Sequence, residues 1–315
     1  MSRARVVALS GGIGGAKLAL GLYRVLPPDT LTVIVNTGDD FEHLGLHICP
    51  DLDTTLYTLA GLANPELGWG RRDETWTFMQ TLEALGGETW FRLGDADLAL
   101  HVERTQRLKG GASLSTIAAD LARRLGIEAA IVPVSDDPIR TRIATSDGEL
   151  AFQDYFVRRR CAPRVQGITY QGAAAARLAP PALAALQSAA LEAIIICPSN
   201  PYLSIDPLLA VPQLLPAVRA ARVPVIAVTP LIGGEAVKGP TAKIMRELGI
   251  APTPRAIAQH YAAWIDAFVL DRADAEQATA FDIPVHVTDT LMTSLDDRAR
   301  LAREVLGFAA TLPRA

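Results

Sequence analysis

The chain has 315 residues, 50% of them hydrophobic and 20% charged, with a formal net charge of −4. That is enough chain for one large domain or two modest ones, with the composition of a soluble enzyme and a substantial core. The longest basic run is Arg158-Arg159-Arg160, too little for a nucleic-acid footprint, and no apolar stretch is long enough to span a bilayer.

Short apolar runs recur with helical stretches between them, the pattern of a parallel sheet covered on both faces. Strands are predicted at Arg5–Leu9, Thr32–Asn36, Ala130–Val134, Ala193–Cys197, Val223–Thr229, Ala267–Leu270 and Val285–Val287. Between the second and third strands the rhythm breaks. The stretches "DTTLYTLAGL", "ETWTFMQTLEAL", "DADLALHVERTQRL" and "SLSTIAADLARRL" predict a mainly helical insertion at about 54–128. Ser146-Asp147-Gly148 then lies between two alternating runs, a hairpin signal spanning about 139–160. Insertion and hairpin together are expected to cap the sheet edge of a single Rossmann-like domain covering residues 1–315. The Ala-rich segment before Cys197 reads as a helix running into a strand. In open α/β sheets ligands sit beyond the carboxyl ends of the strands, so the loops there carry the functional reading.

The first such loop is Ser10-Gly11-Gly12-Ile13-Gly14-Gly15-Ala16-Lys17. Its glycines allow close backbone approach to an anion, and the helix that follows offers free N–H groups and a positive dipole end. It matches neither the dinucleotide fingerprint, which needs glycine at Lys17, nor the P-loop, which needs Gly-Lys-Ser/Thr. Phosphate binding by Gly12, Gly14, Gly15 and Lys17 is expected; the alternative is a tight turn with no ligand. The second loop holds Asp39, Asp40, Asp51 and Asp53. Carboxylates crowded at one strand end repel one another unless a cation offsets them, and magnesium takes carboxylates together with substrate phosphates. Asp39, Asp40 and Asp53 are the candidate ligands of Mg2+, with Asp40 and Asp53 the candidate catalytic groups. The plainer alternative makes Asp53 the cap of a helix beginning at Thr54 and Asp39 the cap of a turn.

The third loop, "PSNPYLSIDP", fixes Ser199 and Asn200 between prolines, where they suit a ribose, a base edge or a phosphate; the alternative is a capped turn with no ligand. The fourth, "LIGGEAVKGPTAKIMRELG", brings Lys238 before a helix, suited to a second anion contact or a mobile lid. Trp69, Trp76, Trp90 and Phe91 fall in the insertion, as core or as a wall for a flat ring. The five histidines show no ligand spacing and read as structural or surface residues, and no serine elbow or cysteine nucleophile is evident. Cys49, Cys161 and Cys197 are spaced neither for zinc nor for a disulfide framework, which points to the cytoplasm. The start "MSRARVV" enters a strand directly rather than a signal peptide.

Taken together, "SGGIGGAKL", "VNTGDD", "CPDLDTTLYTLAG" with "GWG" (Gly68–Gly70), and "PSNPYLSIDP" with "GGEAVKGP" resemble the 2-phospho-L-lactate transferases of coenzyme F-420 biosynthesis. The resemblance runs from Val6 to about Leu306. It implies a Rossmann-like fold with a capping insertion, a homodimer, and magnesium as cofactor. It implies transfer of a phospho-acid from a guanosine diphosphate-linked donor to the ribityl hydroxyl of the deazaflavin Fo, with release of GMP. It assigns Fo binding to Asp53 of "PDLD" and to Arg92 of "RLGDADLAL"; Arg92 rests on the resemblance alone. The acid carried, lactate, enolpyruvate or glycerate, stays open. The rival readings are a nucleotide-sugar-binding regulator of related fold without transferase activity, and an NAD-linked dehydrogenase.

Overall fold

A computed structural model of the chain describes residues 5–65 and 69–314; residues 1–4 of "MSRARVV" and Gly68 of "GWG" lie outside the described residues. Seven strands form one parallel sheet: β1 (Val6–Ser10), β2 (Leu31–Val35), β3 (Ala130–Pro133), β4 (Ala193–Ile196), β5 (Val225–Val228), β6 (Ala267–Asp271) and β7 (Val285–Thr288). All seven expected strands are present. Their spatial order is 7-6-5-4-1-2-3, the doubly wound order with one strand added beyond β6. The winding reverses between β1 and β4, which opens a crevice at their carboxyl ends.

Alternate residues of each strand enter different cores. Val7, Leu9, Ile194 and Ile196 belong to one, and Val6, Ala8, Ala193 and Ile195 to the other. This double burial is why the runs show no polar alternation. On the second face pack α1 (Gly12–Val25), α2 (Pro50–Leu59), α5 (Leu114–Arg124) and the C-terminal helix Leu295–Ala309. On the first pack the helices Pro180–Leu186, Leu214–Ala220, Thr241–Glu247 and Pro254–His260, together with an antiparallel sheet of three strands. Between α2 and α5 the insertion contributes α3 (Thr77–Ala84) and α4 (Asp95–Lys109). Its Met79 and Leu93 form a small separate core with Ile48, which lies before α2, flanked by Phe41, Trp76 and Phe91.

Several boundaries differ from expectation for identifiable reasons. Helix α2 begins at Pro50, whose fixed φ suits a first helical position, so Asp53 lies inside the first turn and is not the cap. The hairpin at Ser146 forms from Arg140–Thr145 and Gly148–Ala151, but a third strand, Val165–Gln171, pairs beside it beyond the expected limit. A further hairpin, Phe41–His43 with Leu46–Ile48, was not anticipated. Its turn uses Leu44 (φ 52°) and Gly45 (φ 73°), and leucine in a left-handed position carries no turn signature. The Ala-rich stretch holds a single 3-10 turn at Ala173–Ala175 and is α-helical only over Pro180–Leu186, because the prolines bar α-helix immediately before them.

Gly21 of α1 rests on the backbone of the C-terminal helix; a Cβ there would lie 2.1 Å from the Arg298 carbonyl oxygen. Gly21→Ala should push the two helices apart and lower the unfolding free energy by about 2 kcal/mol in urea denaturation. An unchanged midpoint would show that the contact relaxes.

Candidate active site

The loops leaving β1 and β4 meet in the crevice. Gly12 adopts φ 63°, a left-handed conformation suited to glycine. A Cβ on Gly14 would lie 2.3 Å from the Pro198 carbonyl oxygen, and one on Gly15 2.5 Å from Ser199 Oγ. The glycine density therefore first of all lets the β4 loop rest on the start of α1. The Gly11 amide donates to Ser199 Oγ at 3.4 Å, and the Gly12 amide faces the Asp51 carboxylate. The next amides, of Ile13 and Gly14, have no acceptor within the helix because they belong to its first turn.

Opposite this turn, Asn36 gathers the acids. Its Nδ2 donates to Asp39 Oδ1 at 3.0 Å and to Asp51 Oδ2 at 2.9 Å. Both carboxylates are buried. Burial and the nearby Asp51 and Asp40 push Asp39 well above the ordinary carboxylate range. Burial pushes Asp51 up to about 6, against the hydrogen bond from Asn36. Two buried carboxylates sharing one amide are short of positive charge, and their all-oxygen donor set suits a hard divalent cation.

Asp53 stands in a different network. Arg104, only 1% exposed, grips it with both terminal nitrogens, Nη1 to Oδ2 at 3.0 Å and Nη2 to Oδ1. His101 Nδ1 lies 3.6 Å from Asp53 Oδ2, while its Nε2 lies 3.3 Å from Asp97 Oδ2. Tyr57 donates its hydroxyl to Asp97 at 2.6 Å. Burial raises the Asp53 carboxyl, with Arg104 opposing. For Asp97, burial is outweighed by His101 and Tyr57, which hold its carboxyl below the ordinary range.

Asp39, Asp51, Asp53, Tyr57, Asp97 and His101 line one cleft of about 560 Å³. The sheet loops supply its polar wall. Trp69, Trp90 and Phe91 of the insertion and Phe156 beyond the hairpin supply an aromatic one. Lys17 and Lys238 both face the cleft; burial, together with Arg298 and Lys238, lowers the Lys17 ammonium below its usual range. Arg92 also faces the cleft, its guanidinium 4.2 Å over the Trp76 ring.

Residues 6–299 match the family described as 2-phospho-L-lactate transferase CofD. The chain belongs to that family. It is 41% identical over 314 residues to the phosphoenolpyruvate transferase of Streptomyces griseus, covering 97% of this chain and 98% of that one. It is also 41% identical over 312 residues to the 2-phospho-L-lactate transferase of Methanopyrus kandleri, covering 98% of each. Among solved structures, a UPF0052-family protein from Bacillus halodurans shares the fold with a TM-score of 0.64 at 13% identity, over 97% of this chain and 99% of that one.

In this CofD-family chain Gly12, Gly14 and Lys17 line the cleft with Ser199, Asn200 and Lys238, and so do Asp39, Asp53 and Arg92. Gly15 lies beneath the cleft against Ser10 and Ser199. Asp40 turns away from it: its Oδ2 lies 3.7 Å from His47 Nε2, its Oδ1 is buried without a hydrogen bond, and it opens onto a second hollow. Asp51 takes the place beside Asp39. Asp51 is one of the four acids of the second loop but not one of the expected metal ligands, and Asn36, Tyr57, Asp97, His101 and Arg104 are not among the expected site residues. A signal for the last three was present: positions 97, 101 and 104 share one face of a helix.

Removing one member of a buried ion pair leaves an uncompensated charge. Arg104→Met should cost about 3–5 kcal/mol of stability, and the double variant Arg104→Met with Asp53→Asn should recover part of it. Additive losses in a urea-denaturation cycle would refute the coupling.

Proposed function

We propose that this protein moves 2-phospho-L-lactate or enolpyruvyl phosphate from a guanosine diphosphate-linked donor to the terminal ribityl hydroxyl of Fo, releasing GMP. The observation that carries the reading is the cleft itself: the glycine turn, the Asp39–Asp51 pair and the aromatic wall face one another across it. The two names borne by the relatives, both transferases of phospho-acids, support it. The same proposal takes the enzyme to be cytoplasmic and homodimeric; among the described residues no helix is long and apolar enough to cross a membrane.

The diphosphate lies against the turn Gly12–Gly14, at the positive end of α1 and between Lys17 and Lys238. Ser199 and Asn200 take the nucleotide. Asn200 Oδ1 accepts from the Tyr202 and Leu203 amides, at 3.0 and 3.1 Å, while its Nδ2 is buried without a partner and is left to donate. Arg92, over Trp76, orients the deazaflavin. The ribityl oxygen attacks the phosphorus that bears the acid, the bond from that phosphorus to the GMP oxygen breaks, and GMP leaves as the anion. The hydroxyl proton passes to Asp53, which Arg104 and His101 hold against rotation. No protein nucleophile is needed; positioning and charge stabilisation carry the reaction. Asp39 and Asp51 would hold magnesium, which would neutralise charge on the diphosphate.

Mass-spectrometric detection of F-420-0-type product from Fo, the guanosine donor and magnesium tests the reaction; no product with any of the three acids would reject it. Asp53→Asn should lower turnover by about 100-fold; near-normal turnover removes Asp53 from the mechanism.

The pH dependence follows from the direction of the carboxyl shifts. Asp51 binds its proton more tightly folded, near 6, than unfolded. Its contribution to stability is therefore complete below the ordinary carboxylate range of about 4 and lost as pH rises through 6. A cation replaces that proton, so magnesium should raise the melting temperature more at pH 8 than at pH 5. Asp51→Asn should abolish the difference; an equal magnesium effect at both pH values in the unsubstituted protein would dissociate the pair from metal binding.

A further inference from the structure

The members of the run Arg158-Arg159-Arg160 are treated unequally by the fold. Arg158 is paired with Glu88 and Asp154, and Arg159 with Asp154 and Asp147. Arg160 has no acidic partner among the described residues, and it lines the cleft beside Phe156 and Val157. The backbone turns sharply to place it there. Arg160 and Cys161 follow one another at φ 50° and 56°, a left-handed conformation that side chains other than glycine seldom adopt and that functional sites often retain. Hydrogen bonds hold the turn: Arg159 N donates to Asp154 O, Cys161 N to Tyr155 O and Ala162 N to Arg159 O, each at 2.9 Å.

Among the described residues, the cations facing the cleft without a carboxylate partner are Lys17, Arg92, Arg160 and Lys238. The proposed donor presents three anionic groups, two phosphates and the carboxylate of its acid. Lys17 and Lys238 stand together near the glycine turn and suit the phosphates. Arg92 is committed to the aromatic wall. Arg160 is left, and a guanidinium is a planar fork that matches a carboxylate with two parallel hydrogen bonds.

Resting on the proposed transfer reaction, we infer that Arg160 binds the carboxylate of the acid carried by the donor. It is thereby a specificity residue that selects carboxylated donors over diphosphate esters that lack the carboxylate. The carboxylate is common to the acids named for both groups of relatives, so this contact accepts either acid and rejects a donor lacking the carboxylate.

The test compares the carboxylated guanosine donor with one whose acid is replaced by an ethyl group, in the unsubstituted enzyme and in Arg160→Met. The unsubstituted enzyme should prefer the carboxylated donor in kcat/KM by about 100-fold, the value of a charge-assisted contact. In Arg160→Met that preference should collapse, the loss falling on the carboxylated donor through its KM, and Arg160→Lys should restore part of it. An undiminished preference, an equal loss with both donors, or a rise in the KM for Fo alone would overturn the assignment. Calorimetric titration of the same two donors reads the contact without turnover. If neither donor is turned over, the transfer reading fails. A carboxylate preference in binding that vanishes in Arg160→Met would then still sustain the contact, and one that persists would overturn it.

Discussion

One side-chain nitrogen stands where three loops of this protein converge. Asn36 Nδ2 lies 3.0 Å from Asp39 Oδ1, 2.9 Å from Asp51 Oδ2 and 3.3 Å from the Leu203 carbonyl oxygen. An amide has two protons to offer three acceptors, and its orientation is set because Oδ1 accepts the Gly38 amide at 2.7 Å. The end of β2, the start of α2 and the loop after β4 are thereby drawn to one point beside the glycine turn. Two buried carboxylates are left with less positive charge than they need. The pull for a cation and the geometry of the crevice have the same origin.

The sheet was legible because strands buried on both faces must be apolar throughout, and runs such as Val6-Val7-Ala8-Leu9 and Ile194-Ile195-Ile196 have no other easy use. The strand-end loops were legible as places, through the glycine turn, the acidic segment and "PSNP". What the sequence did not disclose is which acids face which partner. Asp51 and Asp53 are two residues apart on α2, so their side chains diverge by about 200° around the helix. One therefore meets the glycine turn and the other meets Arg104. Asp40 sits at the foot of a hairpin whose Leu44-Gly45 turn is silent in the sequence, and that hairpin directs it toward His47. Arg160 was counted only as part of a charge run, because nothing local to it distinguishes the one arginine of three that lacks an acid.

The cleft divides its chemistry between two kinds of scaffold. Loops at the ends of buried parallel strands supply the polar groups, where the backbone is held on both sides. The insertion and the hairpin region supply the aromatic wall, with a minor core around Ile48, Met79 and Leu93 that is separate from those of the sheet. The sheet is shared with a distant protein of Bacillus halodurans at 13% identity, so the fold alone says little about chemistry. In this CofD-family chain the polar and aromatic groups of the cleft come from the loops and the insertion.

Helix α4 carries Asp97, His101 and Arg104 along a single stripe, and all three reach toward the same few ångströms of space around Asp53 and Tyr57. Each residue of a helix is rotated by about 100° from the last. An insertion or deletion of one residue within that stretch would swing part of the stripe out of the cleft while leaving the helix itself intact. Between Asp97 and Arg104 the spacing therefore behaves as a locked phase.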